Sequence, residues 1–278
     1  MGYLTTKNRY LTVGKNQIAY RMIGKQSAGL PLVMLTHLAA TLDEWDPKLL
    51  DLLAKDRQVV VLDLPGVGAS QGKVGATISQ MASQALAIIQ ALGFSKINLL
   101  GLSMGGMIAQ ELVKLKPSLV NRLVLAGTAP RGGKEVELVT RKTFLHMAKG
   151  LVNRVDPKRY IFYNHDQKGG QAALKVLKRM KARPAVAKDK PIKISSFLSQ
   201  LKAIKRFGIA PAEDLNFITQ KTLIVNGDND LEVLTANSYE LQAKIKNSRL
   251  LIYPNAGHGS IFQFADEFAK ELEDFLAN

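Results

Sequence analysis

The sequence predicts an α/β protein with a mostly parallel sheet covered by helices on both faces. Short apolar runs rich in β-branched residues, such as Gln58–Leu62, alternate along the chain with longer amphipathic stretches. The chain has 278 residues, of which 46% are hydrophobic and 22% charged, so it can bury one large core. The same composition excludes a disordered chain.

The elements before residue 130 follow in order from these runs. A hairpin is expected around Gly14-Lys15-Asn16, and Gly93 and Pro117 each end a helix. The predicted strands are Arg9–Val13, Gln17–Met22, Leu32–Thr36, Gln58–Leu62, Lys96–Leu100 and Arg122–Ala126. The predicted helices are Leu42–Ala54, Thr77–Leu92 and Gly105–Lys116.

The pattern changes after Pro130, where the chain becomes basic and helical and has few strand-like runs. The alternation of strands and helices then resumes near residue 216. We therefore predict one sheet domain, residues 1–130 and 216–278, interrupted by a helical cap of residues 131–215. The predicted cap helices are Val139–Val152, Gln171–Lys181 and Ile192–Phe207. After the cap we predict strands Thr222–Asn226 and Arg249–Tyr253, and helices Glu232–Ile245 and Ile261–Leu276.

The net charge of +15 is concentrated in the predicted cap. Residues 131–215 hold 20 Lys/Arg against 7 Asp/Glu, whereas the rest of the chain holds 18 against 16. Such an excess indicates either an anionic partner or a solvated basic face. We favour the solvated face, because the segment has few aromatic residues for base stacking and no nucleic-acid motif. We therefore expect no nucleic-acid partner, and weak contact of the basic cap with an anionic surface stays open.

Several classes of protein are excluded by what the sequence lacks. Without cysteine, it cannot form disulfides, thiolate nucleophiles or thiolate metal sites. No apolar run approaches the ~18 residues of a membrane span, and the N-terminus lacks the apolar core of a signal peptide. We therefore expect a cytoplasmic protein. Because no metal-ligand spacing such as HExxH occurs, we expect neither a metal nor a cofactor.

The most informative motif is Gly101-Leu102-Ser103-Met104-Gly105, a G-x-S-x-G sequence between a predicted strand and a predicted helix. A serine on so tight a turn adopts a strained backbone, and only very small side chains fit two residues before and after it. The turn would place the Ser103 hydroxyl above a helix N-terminus, where backbone N–H groups stabilise negative charge. The motif lacks the lysine of a phosphate-binding loop and the spacing of a dinucleotide site.

Five segments together resemble the α/β-hydrolase family, and the resemblance covers nearly the whole chain. They are Thr36-His37-Leu38-Ala39, the loop from Asp63 to Ser70, the Ser103 motif, Gly227-Asp228-Asn229-Asp230, and Asn255-Ala256-Gly257-His258-Gly259. The resemblance implies an α/β-hydrolase fold with eight strands, mostly parallel, and a cap inserted after the sixth strand. The change of pattern at Pro130 falls at that point.

A serine nucleophile needs a base, and the base needs an orienting acid. His258 lies in a glycine-flanked loop before the last predicted helix, which is where the family places its catalytic histidine. The resemblance implies Asp230 as the acid, with Asp228 as the alternative. The order Ser103, Asp230, His258 along the chain is that of the family. We expect His37, His146 and His165 to be structural, packing or surface residues.

The oxyanion hole should use two backbone N–H groups, one from Met104 just after the nucleophile and one, by resemblance, from Leu38. Many relatives have glycine where this chain has Leu38, so its side chain must occupy space near the site and is itself a candidate substrate contact. The predicted substrate pocket comprises His37, Leu38, Trp45, Phe144 and Met147. Trp45 could equally pack in the core, and Phe144 and Met147 could belong to the interior of the cap.

The nucleophile restricts the reaction, because family members that displace halide or open epoxides use aspartate at this position. We therefore predict a serine hydrolase that acts on a small-to-medium acyl compound, most simply a carboxylic ester, through an acyl-enzyme. The alternatives are a hydrolase-fold receptor with little turnover, a C–C hydrolase and a cofactor-free perhydrolase. The partner is a small-molecule substrate in every case, and the sequence leaves the oligomeric state open.

Overall fold

A computed structural model describes residues 2–25 and 29–277 and confirms the predicted α/β-hydrolase fold. Eight strands form one sheet in the order β1-β2-β4-β3-β5-β6-β7-β8. The pairs β1–β2 and β2–β4 are antiparallel, and all others are parallel. The strands are β1 (Arg9–Val13), β2 (Asn16–Ile23), β3 (Leu32–Leu35), β4 (Val59–Leu62), β5 (Ile97–Leu102), β6 (Val120–Ala126), β7 (Lys221–Gly227) and β8 (Ser248–Tyr253).

Helices cover both faces of the sheet. They are α1 (Pro47–Leu53), α2 (Ile78–Ala91), α3 (Met104–Leu115), α4 (Val139–Val152), α5 (Lys158–Phe162), α6 (Gln167–Lys181), α7 (Ile194–Ile209), α8 (Ala236–Lys244), α9 (Ser260–Gln263) and α10 (Ala265–Ala277). Side chains of α2, α3, α7 and α8 pack in the core on one face. Side chains of α1, α6, α9 and α10 pack in the core on the other.

The central strands are apolar on both sides because each contributes to two cores. Leu99 packs in one core and its neighbour Leu100 in the other, as do Leu123 and Val124 on the next strand. Successive side chains of a strand point to opposite faces, so a strand covered on both faces needs apolar residues at every position. This explains the continuous apolar runs from which the sheet was predicted.

The segment between β6 and β7 forms helices α4 to α7, which we call the helical insertion. Three of its helices, α4, α5 and α7, contribute side chains to a cavity at the carboxyl ends of the central strands, where Ser103 lies. The short helix α5 was not predicted. Within the described part of the chain, no helix combines the length and apolarity needed to cross a bilayer.

Four predicted helices differ from the structure by more than two residues or by a break. The helix predicted from Gln171 begins at Gln167, because Asp166 accepts a hydrogen bond from the Gly169 backbone N–H at 2.7 Å and caps it there. The helix predicted from Leu42 starts at Pro47, because Asp46 accepts a hydrogen bond from the Lys48 amide at 3.1 Å and caps it there. The helix predicted from Glu232 starts at Ala236, since the preceding residues form the loop that holds Asp230. The last helix is divided into α9 and α10 at Phe264.

Candidate active site

Ser103 lies on a strained turn between β5 and α3. Its φ of 57° and ψ of −119° are unusual for a residue with a side chain. A Cβ added to Gly101 would lie 2.3 Å from the Gly105 carbonyl oxygen, and one added to Gly105 would lie 2.2 Å from the Leu35 oxygen. The glycines of the motif are therefore needed for close backbone packing.

The turn is fixed by hydrogen bonds from both of its sides. The Ser103 N–H donates to the Ala126 carbonyl at 2.8 Å, and the Thr128 hydroxyl donates to the Ser103 carbonyl at 2.8 Å. These bonds join the turn to Ala126, the last residue of β6, and to Thr128, which follows that strand. They leave the Ser103 side chain at the wall of the cavity.

His258 and Asp230 meet at the same edge of the sheet. Asp230 follows β7 and His258 follows β8, and both side chains are almost fully buried. His258 Nδ1 and Asp230 Oδ2 are 2.7 Å apart, a hydrogen bond. The other oxygen, Oδ1, accepts from the backbone N–H groups of Glu232 and Val233, both at 2.9 Å. The carboxylate is thus held in one orientation toward the ring.

Asp228, the alternative acid, has a different role. It is exposed and accepts hydrogen bonds from the backbone N–H groups of Asn255 and Ala256 at 3.0 and 3.2 Å. It therefore joins the loop after β7 to the loop that carries His258. Of the two candidate acids, only Asp230 contacts the imidazole among the described residues.

Ser103 and His258 line the same cavity, with no hydrogen bond between their side chains in the described part of the chain. Hydrogen bonds between a nucleophile and its base are often long in a free enzyme and shorten when substrate binds. His258 is flanked by Gly257 and Gly259, and its ring packs 5.4 Å from that of Phe162. The Gly259 N–H donates to the Phe162 carbonyl at 2.7 Å, so the insertion also supports the histidine loop.

The predicted oxyanion donors lie beside this cavity. Met104 is the first residue of α3, and the first N–H groups of a helix have no partner within it. The Leu38 N–H donates to no other described residue. Its neighbour Ala39 has a φ of 62° and donates its own N–H to Gln200 Oε1 at 2.9 Å, so α7 holds this loop in place. The Leu38 side chain packs against the core and forms part of the cavity wall.

The cavity has a volume of about 370 Å³, within the range of small-molecule sites. Of the predicted pocket residues, His37, Leu38 and Met147 line it. Its wall is mostly apolar where the insertion covers it. The apolar side chains from the insertion are Val139, Met147, Pro157, Ile161, Phe162, Ile192, Ile194 and Phe197.

Two of the predicted pocket residues, Trp45 and Phe144, do not line the cavity. Trp45 is buried in the core, with its ring 6.1 Å from that of Phe262. Phe144 lies on the outer side of α4 and is 46% exposed, with its ring against Phe197. Phe144 and Met147 are three residues apart and therefore neighbours on α4, but only Met147 reaches the cavity.

His37 is a neutral group in the cavity wall. Burial lowers the pKa of His37 to about 3, and its hydrogen bond to the Leu38 carbonyl compensates only in part. Its Nδ1 lies 2.8 Å from that oxygen, and its ring packs edge-on against Phe162 at 4.8 Å. We therefore assign His37 a role in the shape of the site and not in proton transfer.

Sequence reasoning missed Glu232, a buried carboxylate in the cavity wall. Its two oxygens pair with the Thr143 hydroxyl at 2.5 Å and with His146 Nδ1 at 2.9 Å, both on α4. Glu232 follows Asp230 by two residues and thus links the acid loop to the insertion. The only sequence signal was an acidic residue next to the predicted catalytic acid.

The environment of His258 favours a charged imidazolium. Burial lowers the pKa of His258, but the charge and hydrogen bond of Asp230, together with the charge of Glu232, outweigh it and raise the pKa above its usual 6.5. A general base must be neutral before it accepts a proton. Activity that depends on His258 should therefore rise with pH through a value above 6.5.

We expect Glu232→Gln to move this rise in activity to lower pH. The substitution removes a negative charge that raises the pKa of His258, so the imidazole stays neutral at more acidic pH. The measurement is kcat/KM against pH from 5 to 9. Glu44→Gln is the matched control, because Glu44 lines the same cavity but pairs with Lys158 at 2.7 Å. Equal displacement in both variants, or none in Glu232→Gln, would contradict this role.

Comparisons with known proteins agree on one family. A family model described as alpha/beta hydrolase fold matches residues 31–265. A non-heme haloperoxidase from Rhodococcus erythropolis is 26% identical over 90% of this chain and 93% of that protein. A pimeloyl-[acyl-carrier protein] methyl ester esterase from Nitrosomonas europaea is 23% identical over 86% of this chain and 93% of that protein. The solved structure of an alpha/beta hydrolase fold protein from Chitinophaga pinensis is 31% identical and superposes with a TM-score of 0.91, covering 99% of both chains.

Proposed function

The chain belongs to the α/β-hydrolase family, and we propose that it is a serine hydrolase that cleaves small-to-medium carboxylic esters through an acyl-enzyme. The observation that carries the proposal is the hydrogen bond of 2.7 Å between His258 and Asp230, at the wall of the cavity that also contains Ser103. A hydroxyl becomes a useful nucleophile only beside a base that is itself oriented by a third group.

In the proposed mechanism, His258 Nε2 accepts the proton of Ser103 as the hydroxyl attacks the ester carbonyl. Asp230 accepts the Nδ1–H of the ring and stabilises the imidazolium that forms. The imidazolium then donates its proton to the departing alcohol. Water attacks the acyl-enzyme in the second half of the reaction, with His258 again acting as the base.

The negative charge on the carbonyl oxygen needs two donors. The candidates are the Met104 N–H at the start of α3 and the Leu38 N–H. Neither of them donates a hydrogen bond to another described residue. A single such donor contributes about 3–4 kcal/mol to transition-state stabilisation. Backbone donation does not require glycine, and the Leu38 side chain has a place in the cavity wall.

The cavity supports an ester with a short or medium acyl chain. Its volume of about 370 Å³ and its mostly apolar wall suit an aliphatic group better than a charged one. The Nitrosomonas europaea relative is named as a methyl ester esterase, which is consistent with this choice. The Rhodococcus erythropolis relative is named as a haloperoxidase. The alternative reaction is therefore perhydrolysis, in which hydrogen peroxide replaces water at the acyl-enzyme. The test distinguishes it from ester hydrolysis.

The test uses the purified protein and p-nitrophenyl esters with acyl chains of increasing length. We expect saturable release of p-nitrophenol, fastest for chains that fill the cavity, and stoichiometric labelling by a fluorophosphonate. Release of a single equivalent without turnover would favour the receptor alternative. Peroxyacid formation from acetate and hydrogen peroxide that exceeds ester hydrolysis would favour the perhydrolase. Neither labelling nor hydrolysis would contradict the proposal.

A further inference from the structure

The helical insertion exposes an unusual number of large apolar side chains. Leu151 and Val152 at the end of α4 are each 80% exposed, and Ile194 at the start of α7 is 77% exposed. Burying such side chains would be favourable, whereas here they face water. We call the whole set the apolar face: Phe144, Leu145, Leu151, Val152, Ile194 and Leu198.

These side chains form one surface rather than two. Positions 144, 145, 148, 151 and 152 lie on one side of α4, because residues three and four apart share a helix face. Ile194 and Leu198 share a face of α7 for the same reason. The rings of Phe144 and Phe197 meet with centroids 6.2 Å apart, so the two exposed stripes adjoin.

The apolar face borders the mouth of the active-site cavity. Ile194 belongs both to the exposed stripe and to the cavity wall, and Phe197 and Met147 line the cavity beside it. A surface that covers the apolar face would therefore lie next to the cavity entrance.

The segments that carry the apolar face contain basic residues but no acidic ones. Residues 139–155 and 190–212 contain no Asp or Glu. Arg141 and Arg154 lie near the two ends of α4, and Lys202 and Lys205 continue the exposed face of α7 beyond Leu198. None of these four cations forms a salt bridge with another described residue. The face is therefore both apolar and positively charged.

We propose that the apolar face docks on an anionic phospholipid bilayer. Lipid headgroups supply negative charge for the cations, and the interfacial region accepts aliphatic side chains, so one partner satisfies both features. A second copy of the chain would bring its own cations against these. A nucleic acid would pair with the cations but leave the aliphatic side chains exposed to water. The charge and the apolar character together favour the bilayer.

Docking is tested by co-sedimentation with vesicles in low salt. One set contains phosphatidylcholine with 30% phosphatidylglycerol, and the other contains phosphatidylcholine alone. We expect binding to the first set only, declining as salt approaches 0.3 M because the charge interactions are screened. This assay measures binding, so its outcome is independent of the proposed ester hydrolysis.

Two pairs of variants separate the apolar and charged contributions. Leu151→Ser with Val152→Ser should weaken binding to anionic vesicles by roughly tenfold or more. Lys202→Gln with Lys205→Gln should weaken it by roughly 25-fold, since each cation near such a surface contributes about fivefold. All four residues lie outside the cavity wall, so hydrolysis of a water-soluble ester should be unchanged and serves as the check of folding.

The matched charge control is Lys96→Gln with Lys116→Gln, which has the same net charge as the α7 pair. Lys96 and Lys116 are exposed at the opposite edge of the sheet, before β5 and after α3. We expect this control to bind vesicles almost as the unmodified protein does. Equal weakening by both charge pairs would indicate a general charge effect and overturn the proposal. The proposal would also be overturned if the protein bound no vesicles in low salt, or if it bound heparin but not vesicles. A dimer that the serine variants abolish would overturn it as well.

Discussion

Replacement of Ser103 by alanine is expected to reduce kcat for ester hydrolysis by about 10⁶-fold, the loss found when the nucleophile of such a triad is removed. The acyl-enzyme cannot form without the hydroxyl, so fluorophosphonate labelling should disappear as well. Ser118→Ala is the control, because Ser118 is an exposed serine after α3. It should leave both measurements unchanged. Turnover that survives Ser103→Ala would show that another group is the nucleophile.

A second variant at the same position separates chemistry from folding. Glycine tolerates the φ of 57° that costs a residue with a Cβ about 1–3 kcal/mol. Ser103→Gly should therefore be as inactive as Ser103→Ala but unfold at a higher temperature than that variant. This order of stability would show that the strain at position 103 is retained for function. A lower unfolding temperature for Ser103→Gly would remove the argument from strain.

The parts of the fold that the sequence predicted are those whose causes are local. The run in β4 is apolar at every position and β5 has a single polar residue, Asn98, because both faces of the sheet are covered, and this requirement is visible in the sequence itself. The glycines at positions 101 and 105 likewise reflect a turn of a few residues. Ser103 could be placed for this reason, whereas His258 was identified by the resemblance of its loop to that of the family.

The features that were missed depend on contacts between distant segments. Glu232 and His146 are 86 residues apart, and their pairing exists only because α4 lies over the loop that follows β7. Asp63 is a further example. Its carboxyl is buried next to that of Asp189, and burial, followed by the interaction with Asp189, raises its pKa well above the usual range. No local sequence pattern predicts the pairing of Glu232 with His146 or of Asp63 with Asp189.

The sequence also could not predict the direction in which single side chains point. Trp45 is as compatible with the pocket as with the core from the sequence, and its burial against Phe262 is visible only in the structure. Phe144 and Met147 are three residues apart on α4, yet only Met147 reaches the cavity. The angle at which α4 crosses the site determines this, and tertiary packing sets that angle.

Replacement of Asp230 by asparagine is expected to reduce kcat by about 10⁴-fold while leaving the fold intact. The backbone N–H groups of Glu232 and Val233 donate to one side of the group, so the amide oxygen of the asparagine should face them. Its NH₂ then faces His258 Nδ1 and donates to it. The imidazole is forced to carry its proton on Nε2, where it cannot accept one from Ser103.

The same substitution has a measurable effect on the titration of His258. Burial lowers the pKa of this histidine, and Asp230 is the main group that raises it. Asp230→Asn should therefore lower the pKa, and the pH profile of the residual activity should move toward acid. Asp228→Asn is the matched control two residues away, because it makes the same change of side chain at an exposed carboxylate that does not contact His258 and whose amide oxygen keeps one of the two hydrogen bonds from Asn255 and Ala256. If Asp228→Asn caused the larger loss, Asp228 would be the orienting acid and the hydrogen bond of Asp230 to His258 would have only a structural role.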